Sequence, residues 1–266
     1  MDFSLNQEQE MFRNYVRKYL DDMGQTKVAR EFTEGNTRSF KPLYSGLAEL
    51  GCSSVNVSEE HGGMGLGQLD LVPITEELGR ALVPGLFLET NALAVPLLEK
   101  FGSEEQKDKY LTAIATGNHT FTLAWLEPDG NYKPSNVRLS GTLQGDVMTL
   151  SGVKTLVPEA EIADSLLVLV RTSEGKDQEG ISLVIIDRAE DNLQMKEQKN
   201  IDETRLLAEV TFDNVQVSSN QVLGAIDHGW DILQEGLLSF NAALCSTIVG
   251  GMEKIVDTAV EYAKIR

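Results

Sequence analysis

The chain reads as an α+β protein: an N-terminal helical domain over residues 1–117, a middle antiparallel β domain over 118–222, and the first helix of a C-terminal helical bundle over 230–266. Three observations carry this. Apolar residues recur at helical spacing up to Gly117. From Asn118 they gather into short runs rich in Val, Ile, Leu, Thr and Phe, broken by Gly, Asp, Asn, Ser and Pro. After Trp230 the helical period returns.

In the first third, Asn6 stands three residues before Gln9, the spacing of a capping box, and Phe12, Tyr15, Val16, Tyr19 and Leu20 fall on one helical face. A second helix runs from Phe40 to Leu50 and stops at Gly51, where a left-handed cap is cheap. Further helices are expected from Asp70 to Leu82, around Ala92 to Phe101 ending at Gly102, and from Ser103, whose Ser-Glu-Glu-Gln repeats the capping box, to Gly117.

The β runs are His119 to Leu126, Arg138 to Leu143, Val147 to Gly152, Asp164 to Thr172, Gly180 to Asp187 and Leu207 to Val217, with Gly145-Asp146 as a hairpin turn. Strands this close together, without helices between them, favour an antiparallel sandwich or barrel. No GxGxxG or GxxxxGK[ST] appears, so a nucleotide-binding α/β sheet has no support. On the last helix Leu244, Ile248, Met252, Ile255, Ala259 and Tyr262 form a stripe, and one amphipathic helix cannot bury its own face. The stripe is expected to be exposed in the chain as given, for cover by further helices of a chain cut inside this region or by another subunit.

Forty-one acidic against 23 basic residues give a net charge of −18, which opposes nonspecific attraction to nucleic acid or anionic lipid. No apolar run approaches the ~18 residues of a membrane span, and the start lacks the basic and apolar parts of a leader, so neither insertion nor secretion is expected. Cys52 and Cys245 form no CxxC or Cys/His pattern; they read as inert core residues of a cytoplasmic protein. His61, His119 and His228 lie far apart, without metal-ligand spacing. Trp125 and Trp230 read first as core, with Trp125 the candidate to border a ligand. Glu253, Asp257 and Glu261, at successive i, i+4 steps, read as one solvated face.

Several words in order resemble a known family. Glu59-Glu60-His61-Gly62-Gly63-Met64-Gly65-Leu66-Gly67, Glu76-Glu77-Leu78-Gly79-Arg80 and Gly102-Ser103-Glu104-Glu105-Gln106-Lys107 resemble the helical domain of the flavin-dependent acyl-CoA dehydrogenases. Glu127-Pro128, Leu150-Ser151-Gly152-Val153-Lys154, Phe212-Asp213-Asn214-Val215, Leu223-Gly224 with Gly229-Trp230, and Tyr262-Ala263-Lys264-Ile265-Arg266 continue the resemblance through the β domain and last helix.

The resemblance implies α,β-dehydrogenation of an acyl-CoA thioester, a carboxylate taking the α-proton and FAD the hydride. It places FAD against Ala124, Trp125, Leu126, Glu127 and Pro128 and against Leu156, Val157 and Pro158, with Tyr132 and Asn241 toward the substrate. It also implies a homo- or hetero-oligomer formed through the C-terminal helical region. The family's flavin words usually read TEPGAGSD and KxWITN. Here Leu126 and Tyr132 stand for Thr and Ser, Leu156 for Trp, and Pro158 for Thr, so the usual hydroxyls and the flat ring are replaced. Phe240 stands where some branches carry the base, with Asn241 for the Arg often beside it; no catalytic residue is assigned. The alternative these losses raise is a noncatalytic partner subunit with an eroded flavin site.

Overall fold

The computed structural model describes residues 4–24, 26–36 and 40–266; the first three residues of the stretch read for a leader lie outside it. Helices α1 (Gln7–Asp22), α2 (Lys27–Thr33), α3 (Phe40–Glu49) and α4 (Gln68–Arg80) come first. A π-helical stretch, Leu88–Ala94, then runs directly into α5 (Val95–Phe101), and α6 (Glu104–Ala115) closes the series. Both capping boxes form: Asn6 accepts from the Gln9 N–H over 2.8 Å and Ser103 from the Gln106 N–H over 3.2 Å. On α1, Val16 and Leu20 are buried while Tyr15, expected on the same face, is exposed. Arg17 grips the buried Glu77 with two bonds of 2.8 and 2.5 Å, tying α1 to α4.

Seven strands follow: β1 (Phe121–Ala124), β2 (Ser140–Gln144), β3 (Val147–Pro158), β4 (Ser165–Arg171), β5 (Ile181–Asp187), β6 (Leu193–Gln198) and β7 (Leu207–Ser218). They form one curled sheet in the order β1-β4-β2-β3-β7-β6, with β5 on β4. The expected antiparallel pairing needs correction at two places: β2 meets β4 in parallel at Ser140 opposite Arg171, and β1 runs parallel to β4, Phe121 opposite Ser165. Connecting β1 to β4 takes the whole β2–β3 hairpin, and the sequence pattern carries no signal for a pairing so distant. Strands β4 and β5 are buried on both faces. Leu167, Leu169, Leu183 and Ile185 face the helices, while Leu166, Val168, Val184 and Ile186 fill the inside of the curl.

Helix α7 (Gly229–Ile265) spans 37 residues. Its first turns set Ile232 and Leu233 into the core shared by α5, α6 and the sheet. Farther along it docks on α4 through small residues rather than through its apolar stripe. Thr75 Oγ1 and Ser246 Oγ are 2.5 Å apart, and the helices approach so closely that a Cβ on Gly79 would lie 1.9 Å from the Thr247 carbonyl oxygen and one on Gly250 1.8 Å from that of Glu76. The stripe of Leu244, Ile248, Met252, Ile255 and Tyr262 is consequently left exposed. By length and composition alone α7 is apolar enough to cross a membrane, with a mean hydropathy of 1.3 over its most apolar 18 residues, a property that core helices of soluble proteins share. The acidic face is solvated as expected, with Glu253, Asp257 and Glu261 all exposed, and two of the three face arginines of the helical layer. Asp257 accepts from Arg80 over 2.8 Å, and Glu253 faces Arg13 and Arg17 across a cleft of about 520 Å³.

Candidate functional site

Two of the sequence words meet where β1 ends beside β3. Lys154 is fully buried, and its Nζ donates to Glu127 Oε1 over 2.8 Å and to the Trp125 carbonyl over 3.1 Å. The same Glu127 oxygen accepts the N–H groups of Arg138 and Leu139 at 2.8 and 2.9 Å. Burial pulls the Lys154 ammonium below its usual pKa, and Glu127 opposes that pull. Beyond Lys154 the β3–β7 ladder slips, leaving Thr155 and Leu156 out of register. Leu156 takes a left-handed φ of 51°. The Thr155 N–H donates to the Leu126 carbonyl over 2.8 Å, joining the two candidate cofactor segments directly.

The eight candidate cofactor residues do not present one common face. Ala124, Leu126, Glu127 and Val157 are buried in the protein's own interior; Pro128 and Leu156 are exposed. Pro158 is half-buried, and its carbonyl accepts from Thr122 Oγ1 over 2.5 Å. Trp125 points the other way along the strand, toward α7. Its ring meets Tyr132 edge-on at 5.0 Å and Trp230 at 5.6 Å, bringing together one expected cofactor residue and one expected substrate residue. Asn241 is exposed on α7.

These positions test whether FAD fits. An isoalloxazine ring and a pyrophosphate need several N–H or hydroxyl donors and a flat neighbour. Leu126 and Pro158 offer no side-chain donor, and Pro158 has no N–H. The Leu156 N–H is taken by Gln198 Oε1 at 2.8 Å, and Thr155 Oγ1 also bonds to Gln198. Among the candidate cofactor residues, the buried side-chain donor left without a partner is Trp125 Nε1. The residues present therefore do not make a complete flavin site. Nor does a carboxylate on α7 reach the aromatic group. Phe240 packs into the helix–sheet core, Glu235 pairs with Lys100, and Asp231 and Glu235 line a separate cleft of about 320 Å³ with His228.

The other expected candidates have structural partners. His61 is buried, its Nδ1 2.8 Å from Ser58 Oγ and its Nε2 3.3 Å from Asp108. His119 Nε2 lies 2.9 Å from Ser165 Oγ, and burial lowers its pKa. Cys52 is core, its thiol pushed up to about 12 by burial. Cys245 is exposed on α7, a correction to its reading as a core residue: the helix presents its small side chains inward, and Cys245 lies on neither that face nor the first-turn core.

Family models for "Acyl-CoA dehydrogenase, N-terminal domain" and "Acyl-CoA dehydrogenase, middle domain" match residues 6–118 and 122–215. The chain belongs to the acyl-CoA dehydrogenase family. It is 28% identical over 258 residues to the 3-(aryl)acrylate reductase of Clostridium sporogenes, covering 90% of this chain and 68% of that protein. It is 26% identical over 270 residues to the short-chain specific acyl-CoA dehydrogenase of Clostridium acetobutylicum, covering 100% of this chain and 71% of the relative. Among solved structures, the butyryl-CoA dehydrogenase of Megasphaera elsdenii superposes with a TM-score of 0.88 at 26% identity, over 100% of this chain and 71% of that one. FAD-linked dehydrogenation is the function of the acyl-CoA dehydrogenase family, whose members act on acyl-CoA substrates and form oligomers.

Sequence reasoning missed a buried ionic group behind the second cofactor segment. Arg205 Nη2 lies 2.6 Å from Glu89 Oε1 and 2.8 Å from Glu159 Oε2, with the Tyr44 hydroxyl buried nearby. Its members are scattered over more than 160 positions, and the one local signal was Glu159 directly after Pro158, where the family's word usually ends in Asn.

Proposed function

We propose that the chain is an acyl-CoA dehydrogenase-type subunit serving α,β-dehydrogenation of an acyl-CoA thioester. The single observation that supports this is the buried Glu127–Lys154 pair, which holds side by side the two segments whose residues carry the resemblance to the family's flavin words. In this reading the chain's own residues give that framework and an aromatic wall of Trp125, Tyr132 and Trp230 beside the acyl group. They give no base and few donors for FAD, so the remaining contacts come from further protein, either more of the same polypeptide or another subunit meeting the exposed stripe of α7. We also read the location as cytoplasmic, which the two free cysteines support.

A second reading, a noncatalytic partner in a hetero-oligomeric dehydrogenase, is favoured by Leu126 and Pro158, which replace the hydroxyl residues usual in the family's flavin words, and by Phe240, which stands where some branches carry the base. One experiment separates the two. The purified chain is given FAD, a panel of acyl-CoA thioesters and an artificial electron acceptor, alone and with any related chain that co-purifies. The first reading expects acyl-CoA-dependent reduction of the acceptor by the chain itself. The second expects none until the related chain is added. No acyl-CoA binding and no co-purifying chain would count against both.

A further inference from the structure

Two carboxylates and one guanidinium meet where the helical layer touches the end of β3. Glu89 comes from the π-helical stretch, Glu159 follows β3 at a left-handed φ of 44°, and Arg205 lies in the connection before β7. Glu89 and Glu159 are 4% and 1% exposed, so water does not neutralise them. Tyr44 on α3 is the remaining titratable group facing them, and its hydroxyl, Glu89 Oε2 and Glu159 Oε1 are all buried without a hydrogen-bond partner. Further partners of Glu159 are the backbone of Leu206, whose carbonyl accepts its N–H, and Arg205. Two ionised carboxylates around one guanidinium would leave a net negative charge in a buried space, and a proton on Glu159 removes it.

We propose that Glu159, held protonated beside Glu89 and Arg205, forms with them a clamp that positions residues 156–159, which include the second candidate cofactor segment, against the helical layer. The geometry accounts for the strain. Glu159 and Leu156 both adopt left-handed backbone, and what holds the segment there is the ion pair at one end and the Gln198 bond at the other. Burial raises the Glu159 carboxyl to about 8, with Arg205 opposing and Glu89 adding to the rise. Because that folded value lies above the ordinary carboxylate value, the stability it confers is complete below about pH 4.5 and is lost as pH rises toward about 8.

The role of the clamp in holding a cofactor segment rests on the function proposed above, but the clamp itself is tested without any ligand. Hydrogen exchange of peptides covering residues 154–160 is measured on the full chain from about pH 5 to pH 9, corrected for intrinsic rates, together with the infrared band of a protonated carboxyl. In the unsubstituted chain the band should fade and exchange in this segment should quicken about tenfold or more as pH rises, with little change elsewhere. Glu159→Gln should remove that pH dependence while keeping the segment protected. Arg205→Lys should retain part of the protection, which guards against a null result from Arg205→Met failing to fold. Equal pH dependence in the Glu159→Gln and unsubstituted chains, or absence of the carboxyl band, would overturn the clamp. A titrating clamp in a chain that neither binds acyl-CoA nor gains FAD would instead count against the proposed function.

Discussion

Lys154 Nζ lies 2.8 Å from Glu127 Oε1 with the lysine wholly buried, so the pair that joins the two candidate cofactor segments is an internal salt bridge rather than a surface contact. Glu127 completes its shell with two backbone N–H groups and Lys154 with the Trp125 carbonyl, which offsets much of the desolvation cost of burying both charges.

Removing one partner should therefore cost far more than removing both. Lys154→Met leaves a buried carboxylate and should destabilise the chain by about 3–5 kcal/mol in urea unfolding. Combining it with Glu127→Gln, which keeps an acceptor for Arg138 and Leu139, should recover part of that loss. Equal and additive costs would show that the two side chains do not form a functional pair.

The close crossing of α4 and α7 gives a contrast between neighbouring glycines. Gly250→Ala would put a methyl 1.8 Å from the Glu76 carbonyl oxygen and Gly79→Ala one 1.9 Å from that of Thr247, so each should cost about 1–3 kcal/mol or more by forcing the helices apart. At Gly251 the nearest atom outside the helix is 3.7 Å away, and Gly251→Ala should be neutral or stabilising by about 0.5–1 kcal/mol. Thermal unfolding of the three variants decides it. A stable Gly250→Ala protein would mean that α7 does not dock on α4 by this face.

The two cysteines should separate under a thiol reagent. Cys245 is exposed and should label quickly in the native chain, whereas Cys52, fully buried with its thiol pushed up to about 12, should label only when the chain unfolds. Mass spectrometry of the labelled peptides reads this directly. Rapid native labelling at Cys52 would contradict the packing of α1, α3 and α4 around it.

Much of the architecture was legible because it is local. The caps at Asn6 and Ser103, the stripes of Val16–Leu20 and Leu43–Leu47, and the continuous apolar runs of β4 and β5 each follow from spacing within a few residues. Strand β6, Leu-Gln-Met-Lys-Glu-Gln, was not legible: it lies at the sheet edge, half exposed, and its polar composition gives no strand signal. Helix α2 has seven residues and no side-chain cap, too little for a period to show. At the candidate site, the erosion at Leu126, Leu156 and Pro158 was visible in the words themselves. Gln198 taking the Leu156 N–H, the Trp125–Trp230 contact and the Glu89–Arg205–Glu159 group were not, because each joins residues whose proximity only the fold creates. The stripe on α7 was read correctly as apolar, yet the inward face is the row of Ala243, Ser246 and Gly250, since small residues allow the closest helix contact.

The central claim is that this chain keeps the framework of an acyl-CoA dehydrogenase while the side chains that should hold FAD have been replaced. Flavin content tests it most directly, by visible absorbance of the purified chain and by equilibrium dialysis with added FAD. The same measurements are made after restoring Leu126→Thr, Tyr132→Ser and Pro158→Thr together. The account predicts a nearly colourless chain with weak FAD binding and a clear gain of flavin in the triple variant. An unsubstituted chain that purifies yellow with one flavin per subunit would contradict it.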